Sequence, residues 1–295
     1  MLPPDQILIR PPVEAYSVLI AVTGGCSWNK CKFCNVYKGI QNYAVRPIED
    51  VLQDIQFSSQ LYPTARAVYL AGGNPTSAPT SYLVEIISKV REVFPNAQRI
   101  SSYAKILDIA RKTDEELQAL TKAGLTILYV GLESGSDKVL AKMKKGTTSR
   151  MAVLHGCRLL EAGLQLSLYV ILGLGSYELT EEHARETARV LTEVNPTIFR
   201  FRTLNLMPGA PLYQEYLDGL FEPMWPVDVL KEERSIIAQL GPNVTSQVYH
   251  DHVSNYLAFG SENIQADRER FLQRLDDAIN DPRIQALEPR FLDSM

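Results

Sequence analysis

The chain has 295 residues, of which 45% are hydrophobic and 22% charged, and its formal net charge is −4. That length buries a large core, and that balance is ordinary for a soluble enzyme; it excludes a broad basic field for nucleic acid. No run reaches the roughly 18 to 20 apolar residues that span a bilayer, and Met1 to Gln6 lack the basic start of a signal peptide.

Residues 1–15 are proline-rich and read as an extended lead lying on the surface. A hydrophobic run from Tyr16 to Val22 reads as a buried strand. It opens into Thr23-Gly24-Gly25-Cys26-Ser27-Trp28-Asn29-Lys30-Cys31-Lys32-Phe33-Cys34, which holds three of the four cysteines. A disulfide framework would leave an odd cysteine and belongs to small secreted domains. Three clustered thiolates fit a metal centre better. Two kinds stay open on spacing alone: a Cys3His zinc site completed by a distant histidine, and an iron–sulfur cluster with one iron lacking a protein ligand. Cys157, on the apolar face of a later helix, reads as a buried thiol. So few cysteines fit a reducing cytoplasm.

Downstream, strand and helix signals alternate. Pro47 opens a helix with Ile48, Val51, Leu52 and Ile55 on one face. Strands are expected at 67–71, 99–103, 126–130, 164–172 and 197–204. Helices are expected near 80–94, 113–124, 137–144, 148–162 and 179–194, with Thr113 and Glu116 forming a capping box and Thr180 opening the last. Lys142, Lys144, Lys145 and Arg150 form a basic cluster that reads as a solvated helix end. Residues 221–295 lose the strand signal, and helices near 226–240 and 264–280 dominate there. The expected fold class is α/β, with parallel strands, helical crossovers and functional loops at the C-terminal sheet edge. Its domains are an N-terminal lead at 1–15, a six-strand barrel domain at 16–220, and a mainly helical extension at 221–295.

The cysteine loop resembles that of radical S-adenosylmethionine (radical SAM) enzymes. They use three cysteines, commonly spaced three and then two residues apart, with an aromatic residue before the last. Here the gaps are four and two, and Phe33 takes the aromatic place. The chain looks like a smaller, single-cluster member related to coproporphyrinogen oxidase-like and methylthiotransferase-like proteins. The resemblance implies an incomplete (β/α)6 TIM-like barrel, with a [4Fe–4S] cluster on Cys26, Cys31 and Cys34 and SAM chelating its fourth iron. The implied reaction is reductive cleavage of SAM to a 5′-deoxyadenosyl radical that abstracts hydrogen from a small-molecule substrate. An electron donor such as flavodoxin or ferredoxin is implied as a partner, with no membrane, and the charge balance argues against nucleic acid. With no further clustered cysteines, sulfur insertion is disfavoured against rearrangement, lyase, dehydrogenase or cyclisation chemistry. The alternative is a non-catalytic iron–sulfur or zinc protein acting as an electron carrier or sensor.

The remaining candidates lie at strand ends. Gly72, Gly73 and Asn74 stand where the family has a glycine-rich turn facing the SAM amino group, often with glutamate third. Glu133, in Gly-Leu-Glu-Ser-Gly, resembles the acidic residue that reaches the SAM ribose or methionine, and a carboxylate accepts several hydrogen bonds at once. The backbone around Ile171 resembles the adenine-holding segment. Ser167 and Tyr169 share a strand face that lines the cavity or fills it. Arg200 and Arg202 share a face of the next strand; an inward pair would hold the SAM carboxylate or an anionic substrate. Ser102 and Tyr103 end the third strand and are candidates of the same kind. His252, in a polar segment with His250 and Asn255, is a candidate acid or base, against a bland reading as a surface histidine.

Overall fold

A computed structural model describes residues 7–289 and 291; residues 1–6, which carried the signal-peptide reading, lie outside the described residues. Strand β1 (Val18–Ala21) begins a parallel series that continues with β2 (Ala67–Ala71), β3 (Arg99–Ala104), β4 (Ile127–Glu133), β5 (Gln165–Leu172) and β6 (Ile198–Thr203). Helices α1 (Ile48–Leu61), α2 (Thr80–Val93), α3 (Asp114–Ala123), α4 (Ser149–Glu161) and α5 (Ser176–Val194) occupy the successive crossovers. The six expected strands all form, and neighbours in the sheet follow chain order. The fold is the α/β arrangement of a TIM-like barrel that has six main strands.

The extension differs from its reading. Helices α6 (Pro226–Gln239) and α7 (Ile264–Ile279) form as expected. Between them, β7 (Gln247–Tyr249) pairs parallel with β6, and β8 (Gly260–Ser261) pairs antiparallel with β7. Strands of three and two residues are too short to show alternation, so periodicity carries no sign of them.

The chain divides into two compact units. The described part of residues 1–29, with 36–130 and 155–166, makes the first; residues 30–35, 131–154 and the described part of 167–295 make the second. In the first, β2 aligns Tyr69 with Ser101, and β3 aligns Tyr103 with Tyr129. Parallel register puts these side chains on one face, where the three tyrosine rings pack with centroids 5.8, 6.2 and 6.4 Å apart. The lead is not all surface. Glu14 is fully buried beneath this face, accepting hydrogen bonds from Ser17, Ser101 and Tyr129 and pairing with Arg99 at 3.0 Å. A buried carboxylate needs such partners, and here they come from two different strands.

The Thr113 and Glu116 capping box is present with both reciprocal bonds, at 2.8 and 3.2 Å, and α3 ends on a left-handed Gly124. Helix α5 starts at Ser176, four residues before Thr180. The Gly173-Leu174-Gly175 turn reverses the chain at once, and Ser176 Oγ donates to Glu222 O. Cys157 is partly exposed rather than buried.

In the second unit, β5 and β6 align Tyr169 with Arg200 and Ile171 with Arg202. One face therefore carries Ser167, Tyr169, Ile171, Arg200 and Arg202. The opposite face carries Phe199 and Phe201, and Phe201 meets His250 edge-on at 6.0 Å. Helix α6 packs on α5 and α7.

Candidate active site

The cysteine loop begins where Thr23 and Gly24 pair with Val45 and Ala44, a two-residue ladder that closes its base. Gly25 then takes a left-handed φ of 62°. The end of β2 is packed directly on this turn. Gly73 N donates to Gly25 O at 3.2 Å. A Cβ on Gly73 would stand 2.2 Å from Gly25 O and 2.9 Å from Cys26 Cα; one on Gly72 would stand 2.2 Å from Thr23 Oγ1. The two glycines are thus explained by close approach of one backbone to another.

Asn74 is fully buried, and its amide is used inside the protein. Its Oδ1 accepts from Ser27 N at 3.0 Å, and its Nδ2 donates to Ser27 Oγ and Asp108 Oδ2, both at 2.8 Å. Lys105 Nζ donates to the same Ser27 Oγ at 2.8 Å. Asn74 therefore fixes the residue after Cys26, while Asp108 and Lys105, which drew no notice in the sequence, hold Asn74 and Ser27. Asp108 also accepts from Thr76 Oγ1 and Lys105 N, so its buried charge is well supplied with donors. Ser102 departs from its expectation. Its partners in register are Leu70 and Leu128, on the face opposite Tyr103, and its hydroxyl donates to Leu70 O at 3.0 Å.

Residues 30–35 are anchored within the second unit. Lys32 N donates to Met143 O at 3.0 Å, Leu212 N donates to Lys32 O at 2.8 Å, and Lys32 Nζ pairs with Glu215 at 2.6 Å. Phe33 and Ile171 pack against one apolar cluster of Val139, Met143, Leu174, Leu206, Leu212 and Phe221. Cys26, Cys31 and Cys34 are all partly exposed and unpaired by disulfides. Among the described residues, no group of three or more His, Cys, Asp and Glu side chains converges on a single ion.

Glu133 ends β4 in a left-handed conformation, φ 65°, that favours glycine. Its carboxylate pairs with Lys145 Nζ at 2.6 Å, both side chains 12% exposed. Lys145 is therefore a partner of Glu133 and not part of a solvated helix end. Gly131 makes room for the pair, since a Cβ there would lie 2.0 Å from Glu133 Oε1 and 2.8 Å from Lys145 Nζ. The turn after Glu133 is clamped by α5: Gly135 N donates to Thr187 Oγ1 at 2.9 Å, and Ser134 Oγ bonds His183 Nδ1 at 2.7 Å.

Residues 20–191 match the Radical SAM superfamily, more than half of the chain. The chain belongs to the radical SAM superfamily. Its cofactors are accordingly a [4Fe–4S] cluster and SAM. Among its relatives are proteins named tRNA-2-methylthio-N(6)-dimethylallyladenosine synthase. The one from Baumannia cicadellinicola subsp. Homalodisca coagulata is 25% identical over 68% of this chain and 46% of its own length. The one from Bordetella avium is 28% identical over 68% of this chain and 44% of its own. The chain thus spans less than half the length of these relatives. Coproporphyrinogen III oxidase from Escherichia coli, a radical SAM enzyme, shares the fold at a TM-score of 0.55 and 17% identity, over 76% of this chain and 52% of that one. Methylornithine synthase does so at 0.54 and 15% identity, over 93% and 82%.

The residues present fit the radical SAM cofactors. The donor set is three cysteines that form no disulfide, and the glycine turn beside Cys26 leaves no space for side chains. Further from the cysteines, a buried chain of polar groups joins two strand ends. His183, fully buried, bonds Ser134 through Nδ1, and its Nε2 lies 3.6 Å from Glu232 Oε1. Glu232 in turn accepts from Gly173 N and Thr180 Oγ1, both at 2.6 Å. Burial holds the His183 pKa below its ordinary value, against the pull of Glu232, so the ring is neutral at pH 7. Both residues lie inside helices whose charge pattern reads as solvent-facing, which hid them.

Arg202 meets two other candidates, Tyr169 and His252. Arg202 lies over the Tyr169 ring at 4.6 Å. Burial, then the charge of Arg202, pushes the His252 pKa down to about 4, opposed by Asp251. Its Nδ1 accepts from Ser254 N at 3.2 Å, so the neutral ring carries its proton on Nε2 and offers a donor there. Asn255 is committed elsewhere: Oδ1 accepts from Thr203 N at 2.7 Å, and Nδ2 donates to Phe201 O at 2.9 Å, completing the edge of β6. His250, read as a surface residue, is fully buried against Glu233.

Proposed function

We propose that the chain cleaves SAM reductively and uses the product radical to take hydrogen from a small-molecule substrate. The observation that carries this reading is the packing of the Gly72-Gly73 strand end onto the Cys26 turn, which positions a cysteine loop of the right composition. Cys26, Cys31 and Cys34 are the ligands. Bound there, the cluster and SAM supply the radical chemistry; the protein contributes placement and the exclusion of water. Phe33 and Ile171 offer a shared apolar surface for the adenine. Glu133, with Lys145 beside it, offers a matched pair of charges for the ribose hydroxyls and the zwitterionic methionine end. Buried hydrogen bonds hold Ser134 to His183 and Glu232 to Gly173, and the packing of His183 against Glu232 links those two strand ends. A reductant protein supplies the electron, and a reducing cytoplasm suits cysteines that form no disulfide. Among the described residues no helix is long and apolar enough to cross a membrane.

A second reading follows from the relatives, whose name places them on tRNA. It makes nucleic acid a candidate substrate and sulfur insertion a candidate reaction, although four cysteines leave few ligands for a further cluster. Both readings meet one experiment. Protein purified without oxygen and reconstituted with iron and sulfide is given dithionite and SAM, and 5′-deoxyadenosine is quantified by mass spectrometry. Wild type is expected to form it, while Cys34→Ala falls to background with its fold intact. Stimulation by bulk tRNA would favour the second reading. A cube that forms while wild type and Cys34→Ala release equal 5′-deoxyadenosine sinks the catalytic reading and favours a carrier.

A further inference from the structure

Arg200 and Arg202 sit two residues apart on one face of β6, and their surroundings differ. Arg200 Nη1 lies 3.0 and 3.1 Å from the two carboxylate oxygens of Asp251, and its guanidinium is 4.5 Å from the centre of the Tyr249 ring. Arg202 is half-buried with its guanidinium carbon over the Tyr169 ring, yet its Nε is buried without a hydrogen-bond partner, and among the described residues no carboxylate lies within ion-pair distance of it. Tyr169 stands beside Arg200 in register, and Ile171 beside Arg202, so all four share the face. Ser167, one step further back on the same face, is fully buried with a hydroxyl that has no partner. His252 is near enough to feel the charge of Arg202 and presents a neutral N–H donor.

A half-buried guanidinium without an anion is costly. Stacking on a ring occupies only its flat face. The in-plane Nε–H has no hydrogen-bond partner, and the Nε edge of a guanidinium matches an oxyanion with two parallel hydrogen bonds. His252 adds a neutral donor near the same charge. SAM does not need this cation, because Glu133 already carries Lys145 at 2.6 Å for the charged end of methionine. We propose that Arg202, supported by Tyr169, anchors an oxyanion group of the substrate, a carboxylate or a phosphate monoester. This rests on the radical SAM reading of the site and adds the substrate class to it.

The test uses cluster-loaded protein with SAM bound, kept without oxygen and titrated calorimetrically with sodium acetate and with inorganic phosphate. Wild type is expected to bind one of them saturably in the millimolar range, and which one names the group. Arg202→Met, which keeps the stem on Tyr169, is expected to weaken that binding by at least about tenfold, as loss of a charge-assisted pair of bonds implies. Arg202→Lys should recover part of it. SAM affinity, measured separately, should change less than anion affinity. Equal anion binding by wild type and Arg202→Met overturns the proposal, as does no binding to wild type. A fall in SAM affinity as large as the fall in anion affinity also overturns it, assigning the guanidinium to the SAM carboxylate while the radical SAM reading stands. Failure of wild type to cleave SAM would strike that reading and leave the anion titration unaffected. Should Arg202→Met not fold, Arg202→Gln takes its place.

Discussion

Gly73→Ala is expected to lose most of its iron. The new methyl would stand 2.2 Å from Gly25 O, 2.8 Å from Gly25 C and 2.9 Å from Cys26 Cα. All three are backbone atoms, so no flexible side chain can move aside. The turn that carries Cys26 must retreat, while Cys31 and Cys34 keep their own anchors through Lys32. Forced overpacking of this kind costs about 1–3 kcal/mol of stability. The cluster suffers more, because displacing what orients a ligand typically costs about 10- to 100-fold in metal affinity. Iron and sulfide per chain after reconstitution, with the melting temperature, check this. Gly219→Ala is the control: nothing lies within 4 Å of a Cβ there, although its own φ is positive, at 71°. Equal iron in Gly73→Ala and Gly219→Ala would refute the close-approach account of the glycine turn.

His250→Ala is expected to have the largest effect on stability. His250 Nε2 lies 3.0 Å from Glu233 Oε2, with the two side chains 1% and 0% exposed. The imidazole is packed edge-on to Phe201 and Phe259, at 6.0 and 5.5 Å between ring centres. The Glu233 oxygens have no hydrogen-bond partner beyond this ion-pair neighbour among the described residues. Removing the ring leaves the buried Glu233 side chain with nothing facing it, and a stranded buried polar group costs about 1–3 kcal/mol on top of the lost packing of the ring. Removing both ends is a different matter. A Glu233→Leu/His250→Leu double variant should recover most of the loss, since an apolar pair of similar volume is often neutral. Chemical denaturation of the two variants decides it. A double variant as unstable as His250→Ala would show that packing of the ring, and not its charge partner, carries the effect.

Much of the fold was legible because the chain is locally consistent. Leucine- and valine-rich runs of strand length alternate with helices whose apolar residues recur every three or four places, and Thr113 with Glu116 marks its helix start correctly. The cysteine loop, the glycine turn and Glu133 were legible as motifs. The groups that hold these motifs were not. Asp108 meets Asn74 across 34 positions, His183 meets Ser134 across 49, and Glu232 meets Gly173 across 59. No local pattern announces such pairs. Glu232 and Glu233 stand in the run Lys231, Glu232, Glu233, Arg234, which reads as a solvated face, yet both are buried at 3% and 0% exposure. Ser102 was misplaced for the opposite reason: a polar residue at a strand end looks functional until the register shows which face it takes.

The central claim is that Cys26, Cys31 and Cys34 hold a cube whose remaining iron accepts SAM. Electron paramagnetic resonance of the dithionite-reduced, reconstituted protein tests it most directly, recorded with and without SAM. The account predicts a reduced [4Fe–4S] signal in wild type that changes its g-values when SAM is added, and no such signal in Cys34→Ala. A signal indifferent to SAM, or zinc filling the cysteine site in protein made with ample iron, would contradict it.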